Sequence, residues 1–429
     1  MMRDLTSSRE LLARAMKVIP SATQTFSKGP NQWVRGVSPH YLSRGDGAWV
    51  WDADGNKYLD YLMALGPIIL GYNNKRVDDA VIRQVKDGPI FSQMHPLEVK
   101  VAEMLVDLIP CAEMVRFAKN GSDTTSGAVR AARAYTNRDH VAYCGYHGWH
   151  DWYIGTTTRN KGVPAAVSAL SNTFSYNDIG SLEKLFADHP NGIAAVVMEP
   201  IGVELPRDGF LEEVRRLCTQ NGTVLVFDEI ITGFRLHMGG AQAYFGVTPD
   251  LACFGKAMAN GYPLAAVVGS RDLMQVFDEI FFSGTFGGDA IALAACKATI
   301  GEMIEKDAIA HNWKVGNLLC EGLTEIISRN GLNDVVRILG LPARSVMSFP
   351  SPDESTTLLR RSFVMQECVK RGLLYFGSNN ICLAHDEPEL KFTLDVFAEV
   401  MPLVAAAYQA DDFAARMDGL AVEPIFRKA

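Results

Sequence analysis

Short, continuously apolar runs alternate with helix-patterned segments through the middle of the chain. Val141-Ala142-Tyr143, Ala194–Met198 and Val224–Phe227 are apolar at every position, and segments with helical spacing such as Leu182–Ala187 and Leu211–Gln220 precede them. Strands buried on both faces and separated by helices predict a mainly parallel sheet in an α/β fold. The ends read differently. Gly47–Tyr58 alternates, with a turn signal at Asp52-Ala53-Asp54-Gly55-Asn56 between two short strands. After about Ala308 the pattern is helical, then mixed. The reading is a large domain over 76–307 and a small α+β domain built from 1–75 and 308–429.

Parallel sheets place ligands at the carboxyl ends of their strands. Ala194–Met198 runs into Glu199, Val224–Phe227 into Asp228-Glu229, and Ala252–Phe254 into Gly255-Lys256. One strand-end charge is ordinarily a cap or a solvated residue; three in succession point to a shared site.

Composition narrows the class. The 429 residues are 48% hydrophobic and 21% charged, with a net charge of −8, which gives no basis for nucleic-acid or membrane-surface binding. Met1–Arg14 lacks the apolar region of a secretory signal, and no run of about 18 apolar residues predicts a membrane span. Eight scattered cysteines without a CxxC pair suggest free thiols in a reducing cytoplasm.

Four segments carry candidate chemistry. Asn120-Gly121-Ser122-Asp123-Thr124-Thr125 precedes a helix-patterned stretch, Ser126–Tyr135, and small residues there leave N–H groups for an anion; a plain helix cap reads the same way. Gly145-Tyr146-His147-Gly148-Trp149-His150-Asp151 could present a ring to a planar ligand, or simply fill the core. His147 and His150 lack a convincing third ligand, so no metal is expected. A buried carboxylate at Asp228 needs a cationic or donor partner, and Lys256 could lose its proton on desolvation and attack a carbonyl.

Together these segments resemble the class III, fold-type I aminotransferases, most closely the glutamate-1-semialdehyde aminomutase branch. The resemblance runs from Ser8 to about Val400, through NGSDTTSGAVRAARAYT, GYHGWHD, VVMEP, VLVFDEIITGFR, GVTPDLACFGKAMANGYPLAAVVG and SGTFGG in the family's order and spacing. It implies a seven-stranded, mainly parallel sheet and pyridoxal phosphate joined to Lys256 as a Schiff base. Lys256 then moves the Cα proton, and Asp228 pairs with the ring nitrogen so that the ring can take up electrons. Tyr146 stacks on one ring face, Ile230 packs on the other, and His147 belongs to the same pocket. Gly121, Ser122 and Asp123 match the phosphate loop. Thr285 matches a hydroxyl residue that reaches the phosphate of the partner subunit, implying a homodimer. Glu199 matches a carboxylate near the ring.

Three departures from the aminomutases bear on the reaction. Ala22–Lys28 has no arginine where the branch holds its substrate carboxylate. The Gly/Ser-rich lid is reduced to Thr156–Pro164, and a glutamate-bearing stretch is replaced by Gly377-Ser378-Asn379-Asn380-Ile381. A transaminase must release one product before admitting the next substrate, so these losses favour transfer from a donor such as glutamate to a separate keto or aldehyde acceptor. Thr23, Gln24, Thr25, Ser378 and Asn379 would suit a sugar, unless they are only loop residues. Arg159 and Arg235 are candidate carboxylate binders or structural salt-bridge residues. The aminomutase reaction is the first alternative. Racemisation or decarboxylation, and a non-catalytic cofactor-binding protein, are the others.

Overall fold

The computed structural model describes residues 3–424, so the outermost ends of the expected small domain, 1–2 and 425–429, lie outside the described residues. The chain divides into two compact units, one of residues 66–68 and 75–309, the other of 1–65, 69–74 and 310–429.

The first unit is built on a seven-stranded sheet in the order Met114–Ala118, Ala265–Gly269, Leu251–Phe254, Val224–Asp228, Ile193–Met198, His140–Cys144, Ser171–Thr173. All neighbouring pairs are parallel except those made by Ala265–Gly269, which runs antiparallel to both its neighbours. Ile193–Met198, Val224–Asp228, Leu251–Phe254 and Ala265–Gly269 are buried at every position. This is why their sequences are continuously apolar: helices cover both sheet faces, so no face faces water. Helix Gly121–Thr136 packs across the centre and contributes Ala128, Val129, Ala131 and Ala132 to the core.

The second unit holds two small sheets. In one, Leu42–Asp46, Trp49–Asp52 and Lys57–Asp60 form an antiparallel meander joined by the two-residue strand Leu373–Leu374, parallel to Lys57–Asp60. The alternating sequence at Trp49–Asp52 becomes alternating burial. The other sheet pairs Arg337–Leu341, Arg344–Ser348 and Ser378–Asn380. Helices Ala308–Arg329, Glu354–Lys370 and Glu387–Ala410 supply much of its core, including Leu319, Leu323, Phe363, Phe397 and Val404.

All eight cysteines are unpaired, and seven are buried. Among the described residues, no helix is long and apolar enough to cross a membrane.

Candidate active site

The strand-end charges of the first unit point in different directions. Asp228, the last residue of its strand, is 5% exposed. Its Oδ2 lies 2.9 Å from His147 Nδ1, and its Oδ1 accepts the Ile230 N–H at 3.1 Å. His147 is itself buried, with Nε2 3.0 Å from the Cys144 carbonyl. A carbonyl only accepts, so this contact calls for a hydrogen on Nε2. Sequence reasoning placed His147 in the pocket without seeing this bond.

Glu229 turns away into the core. It is fully buried and accepts from the Thr232 hydroxyl, Ala241 N at 2.7 Å and Gln242 N at 2.9 Å. Burial pushes its carboxyl up, and these donors act against the rise. It anchors the loop after the Asp228 strand.

Lys256 follows its strand through Gly255 and adopts a left-handed φ of 43°, an uncommon conformation for a side-chain-bearing residue and one typical of functional sites. The surroundings dictate Gly255: a Cβ there would meet Ile230 Cδ1 at 3.1 Å, and one on Gly121 would meet Ile230 Cγ1 at the same distance. Ile230 is thus wedged between the residue before the lysine and the start of helix Gly121–Thr136.

That helix begins at Gly121, earlier than its sequence pattern suggests, because Asn120 and Asp123 form a reciprocal capping box. Asn120 Oδ1 accepts Asp123 N at 3.1 Å, while Asp123 Oδ2 accepts Asn120 N at 3.2 Å and Asn120 Nδ2 at 2.8 Å. The first-turn N–H groups of Gly121 and Ser122 have no intrahelical carbonyl and are available to an anion. Asp123 closes the cap with both its N–H and its carboxylate.

The segment Gly145–Asp151 is fastened to this helix. The Thr125 hydroxyl donates to the His147 carbonyl at 3.0 Å, and Trp149 N donates to Ser122 Oγ at 3.2 Å. Gly145 and Gly148 have φ of 107° and 97°. Tyr146 leaves 53% of its surface exposed, braced edge-on by Tyr153 at 5.6 Å. Burial pushes its phenol up, with the Asp228 and Glu199 carboxylates adding to the effect. Glu199 lies against Gly145, where an added Cβ would stand 3.3 Å from its Oε2. Thr285 is exposed, in the loop before helix Ala290–Glu305.

The residues singled out for substrate differ in burial. Asn379 is fully buried in strand Ser378–Asn380 and donates to Ser345 Oγ at 3.0 Å, with Ser378 half-buried in the same strand. Thr23 bonds the Thr25 carbonyl at 2.8 Å, and Gln24 and Thr25 are exposed. Asn379 thus serves sheet packing. Arg235 is 1% exposed and donates to the Gly66 carbonyl at 2.7 Å, which favours its structural reading. Arg159 is half-buried.

This arrangement fits pyridoxal phosphate. The Gly121–Ser122 turn offers donors to a phosphate, Tyr146 and Ile230 offer ring contacts, Asp228 offers a carboxylate to the ring nitrogen, and Lys256 offers an amine. The model of the family "Aminotransferase class-III" matches residues 33–387. The chain is 36% identical over 405 residues to the 3-aminobutyryl-CoA aminotransferase of Cloacimonas acidaminovorans, covering 90% of this chain and 96% of the relative. It is 39% identical over 356 residues to the glutamate-1-semialdehyde 2,1-aminomutase of Alkaliphilus oremlandii, covering 79% and 83%. The pyridoxal-phosphate form of the FumI protein of Sphingopyxis sp. MTA144 superposes with a TM-score of 0.87 at 29% identity, over 94% of this chain and 98% of that one. The chain belongs to the class III aminotransferases and is a pyridoxal-phosphate-dependent enzyme of amino-group transfer.

Proposed function

We propose that this enzyme moves an amino group from an amino-acid donor, glutamate first, to a separate keto or aldehyde acceptor, and that it works as a cytoplasmic homodimer. The observation that supports the site assignment is the close approach of both Gly121 and Gly255 to Ile230, which brings the phosphate turn and the residue before Lys256 against one side chain. Bound there, the cofactor supplies an electron sink for charge developing at the substrate Cα. Asp228, held by His147, would offer its carboxylate to the ring nitrogen. Lys256 Nζ takes the Cα proton and returns it. Tyr146 and Ile230 orient the ring, and Gly121 and Ser122 hold the phosphate.

A separate acceptor is supported by the short Thr156–Pro164 segment and by the likeness to a 3-aminobutyryl-CoA aminotransferase across 96% of that relative, which brings 3-amino acyl donors into scope beside glutamate. The aminomutase reaction is the second reading, favoured by the 39% identity to the A. oremlandii enzyme. For the homodimer, Phe281 and Phe286, 81% and 59% exposed, flank Thr285. Exposed Phe91 and Met94 lie on a neighbouring segment, tied to that loop's end by Ala290 N donating to the Pro89 carbonyl at 3.0 Å. Exposed apolar side chains of this kind support an interface there. The unpaired thiols support a reducing compartment.

The test is a half-reaction followed by absorbance. Glutamate added alone to the holoenzyme should convert the cofactor from its aldehyde to its amine form, and 2-oxoglutarate should reverse it. Inertness to glutamate and 3-amino acyl donors, with donor-free isomerisation of glutamate-1-semialdehyde, would establish the aminomutase reading instead.

A further inference from the structure

We propose that His150 balances the charge of Asp123 so that the first turn of helix Gly121–Thr136 can receive the cofactor phosphate, and that phosphate binding there is coupled to proton uptake by His150. The inference rests on the reading of Gly121 and Ser122 as the phosphate turn.

Asp123 creates the need. A carboxylate in a helix's first turn suits the positive end of the macrodipole while nothing else is bound. It also places a negative charge beside the N–H groups that must take a phosphate. The cap holds Asp123 Oδ2 in place through Asn120, so the carboxylate cannot swing away without opening the helix.

His150 meets the need from the facing segment. Its Nε2 stands 3.9 Å from Asp123 Oδ1, and its Nδ1 is 2.7 Å from Ser126 Oγ. Ser126 Oγ also accepts the Trp152 indole N–H at 3.1 Å. The hydroxyl keeps one hydrogen and one further lone pair. It can donate to a neutral imidazole or accept from a protonated one. The contact survives a change of charge on His150 without rearrangement.

The other charges around it are engaged. Lys119, Asp123, Arg130 and His150 line one cavity of about 270 Å³. Lys119 is paired with Asp289 at 2.8 Å, and Arg130 Nη1 donates to the Phe281 carbonyl. Asp151, next along the chain, is exposed. Among the described groups lining this cavity, His150 is the one placed to offset Asp123. It acts on the phosphate turn through Asp123 and is a positioning residue.

The experiment measures release of pyridoxal phosphate from the full-length holoenzyme by equilibrium dialysis between pH 6.5 and 8.5, with pyridoxal as the phosphate-free probe. His150→Leu should weaken retention of pyridoxal phosphate about tenfold, the scale of one partly screened charge contact, and flatten its pH dependence. Binding of pyridoxal should be unchanged. Asp123→Asn, which keeps a cap-competent side chain, should restore retention in the His150→Leu background. Equal weakening of both probes, no recovery in the double variant, or a His150→Leu protein that behaves as wild type would overturn the proposal. Failure of the phosphate-turn reading looks different: the wild-type protein itself would not prefer pyridoxal phosphate to pyridoxal.

Discussion

Substitution of Gly148 by alanine separates two costs that usually arrive together. Gly148 has a φ of 97°, and a Cβ built there would overlap the Ser122 hydroxyl and stand 2.9 Å and 3.0 Å from the Ser122 Cβ and Cα. Gly162 has nearly the same φ, 94°, yet nothing lies within 4 Å of its Cβ position. Gly162→Ala therefore bears the backbone cost alone, about 1–2 kcal/mol. Gly148→Ala bears that cost plus overpacking, another ~1–3 kcal/mol. Ser122 backbone cannot yield as a flexible side-chain tip would, so the collision displaces the first turn of helix Gly121–Thr136. Urea midpoints should fall for both variants, further for Gly148→Ala. Only Gly148→Ala should also release pyridoxal phosphate more readily, by roughly tenfold for each 1.4 kcal/mol that falls on the turn. If the two variants lose equal stability and both retain cofactor as wild type does, Gly148 is not fitted against the phosphate turn and the argument fails.

Asp228→Asn should lower turnover by at least about a hundredfold with little change in the urea midpoint, as seen in steady-state rates and unfolding curves of the same preparation. Arg361→Met should raise the urea midpoint: Arg361 Nη2 is buried without a hydrogen-bond partner, and burial lowers the guanidinium to about 10. Because that is below its unfolded value, the penalty is fully present at neutral pH and fades as pH rises through about 10, so the advantage of Arg361→Met, on the order of 1 kcal/mol, should be larger at pH 7.5 than at pH 10.5. Phe281→Asp should halve the sedimenting mass and loosen cofactor retention, since Phe281 shares its loop with Thr285; an unchanged mass would remove this loop from the interface.

The sheet was legible wherever burial on both faces made a strand apolar throughout, as at Ile193–Met198 and Val224–Asp228. Lys256, Asp228 and Tyr146 could be singled out because each follows or ends such a strand. Long-range geometry was not legible. No local pattern announces that Ala265–Gly269 runs antiparallel, since its residues are as apolar as those of its parallel neighbours. The roles of Asp123 and Glu229 depend on which backbone N–H groups face them: one closes a cap, the other enters the core beside Gln242. The His147–Asp228 bond joins residues 81 apart in sequence. The Ser126–His150 contact joins two segments that sequence reading treated as independent motifs. Asn379 shows the same limit: amide chemistry suits a sugar or a sheet interior equally well, and its burial is set by the fold.

Strand pairing also sets a timetable for synthesis. Strand Met114–Ala118 docks on Ala265–Gly269, whose first residue pairs with Ala118 from 147 positions later. Lys57–Asp60 waits longer, because its partner Leu373 lies 314 positions beyond Leu59. At about 5–20 residues per second, the meander near the start of the chain emerges roughly 15–60 s before the strand that completes its sheet. During that interval the edge of Lys57–Asp60 is unprotected, and all strands of the sheet that leads into Lys256 emerge within it. Translation speed and chaperone supply should therefore govern the yield of active enzyme through its earliest strands, far in sequence from the lysine that does the chemistry.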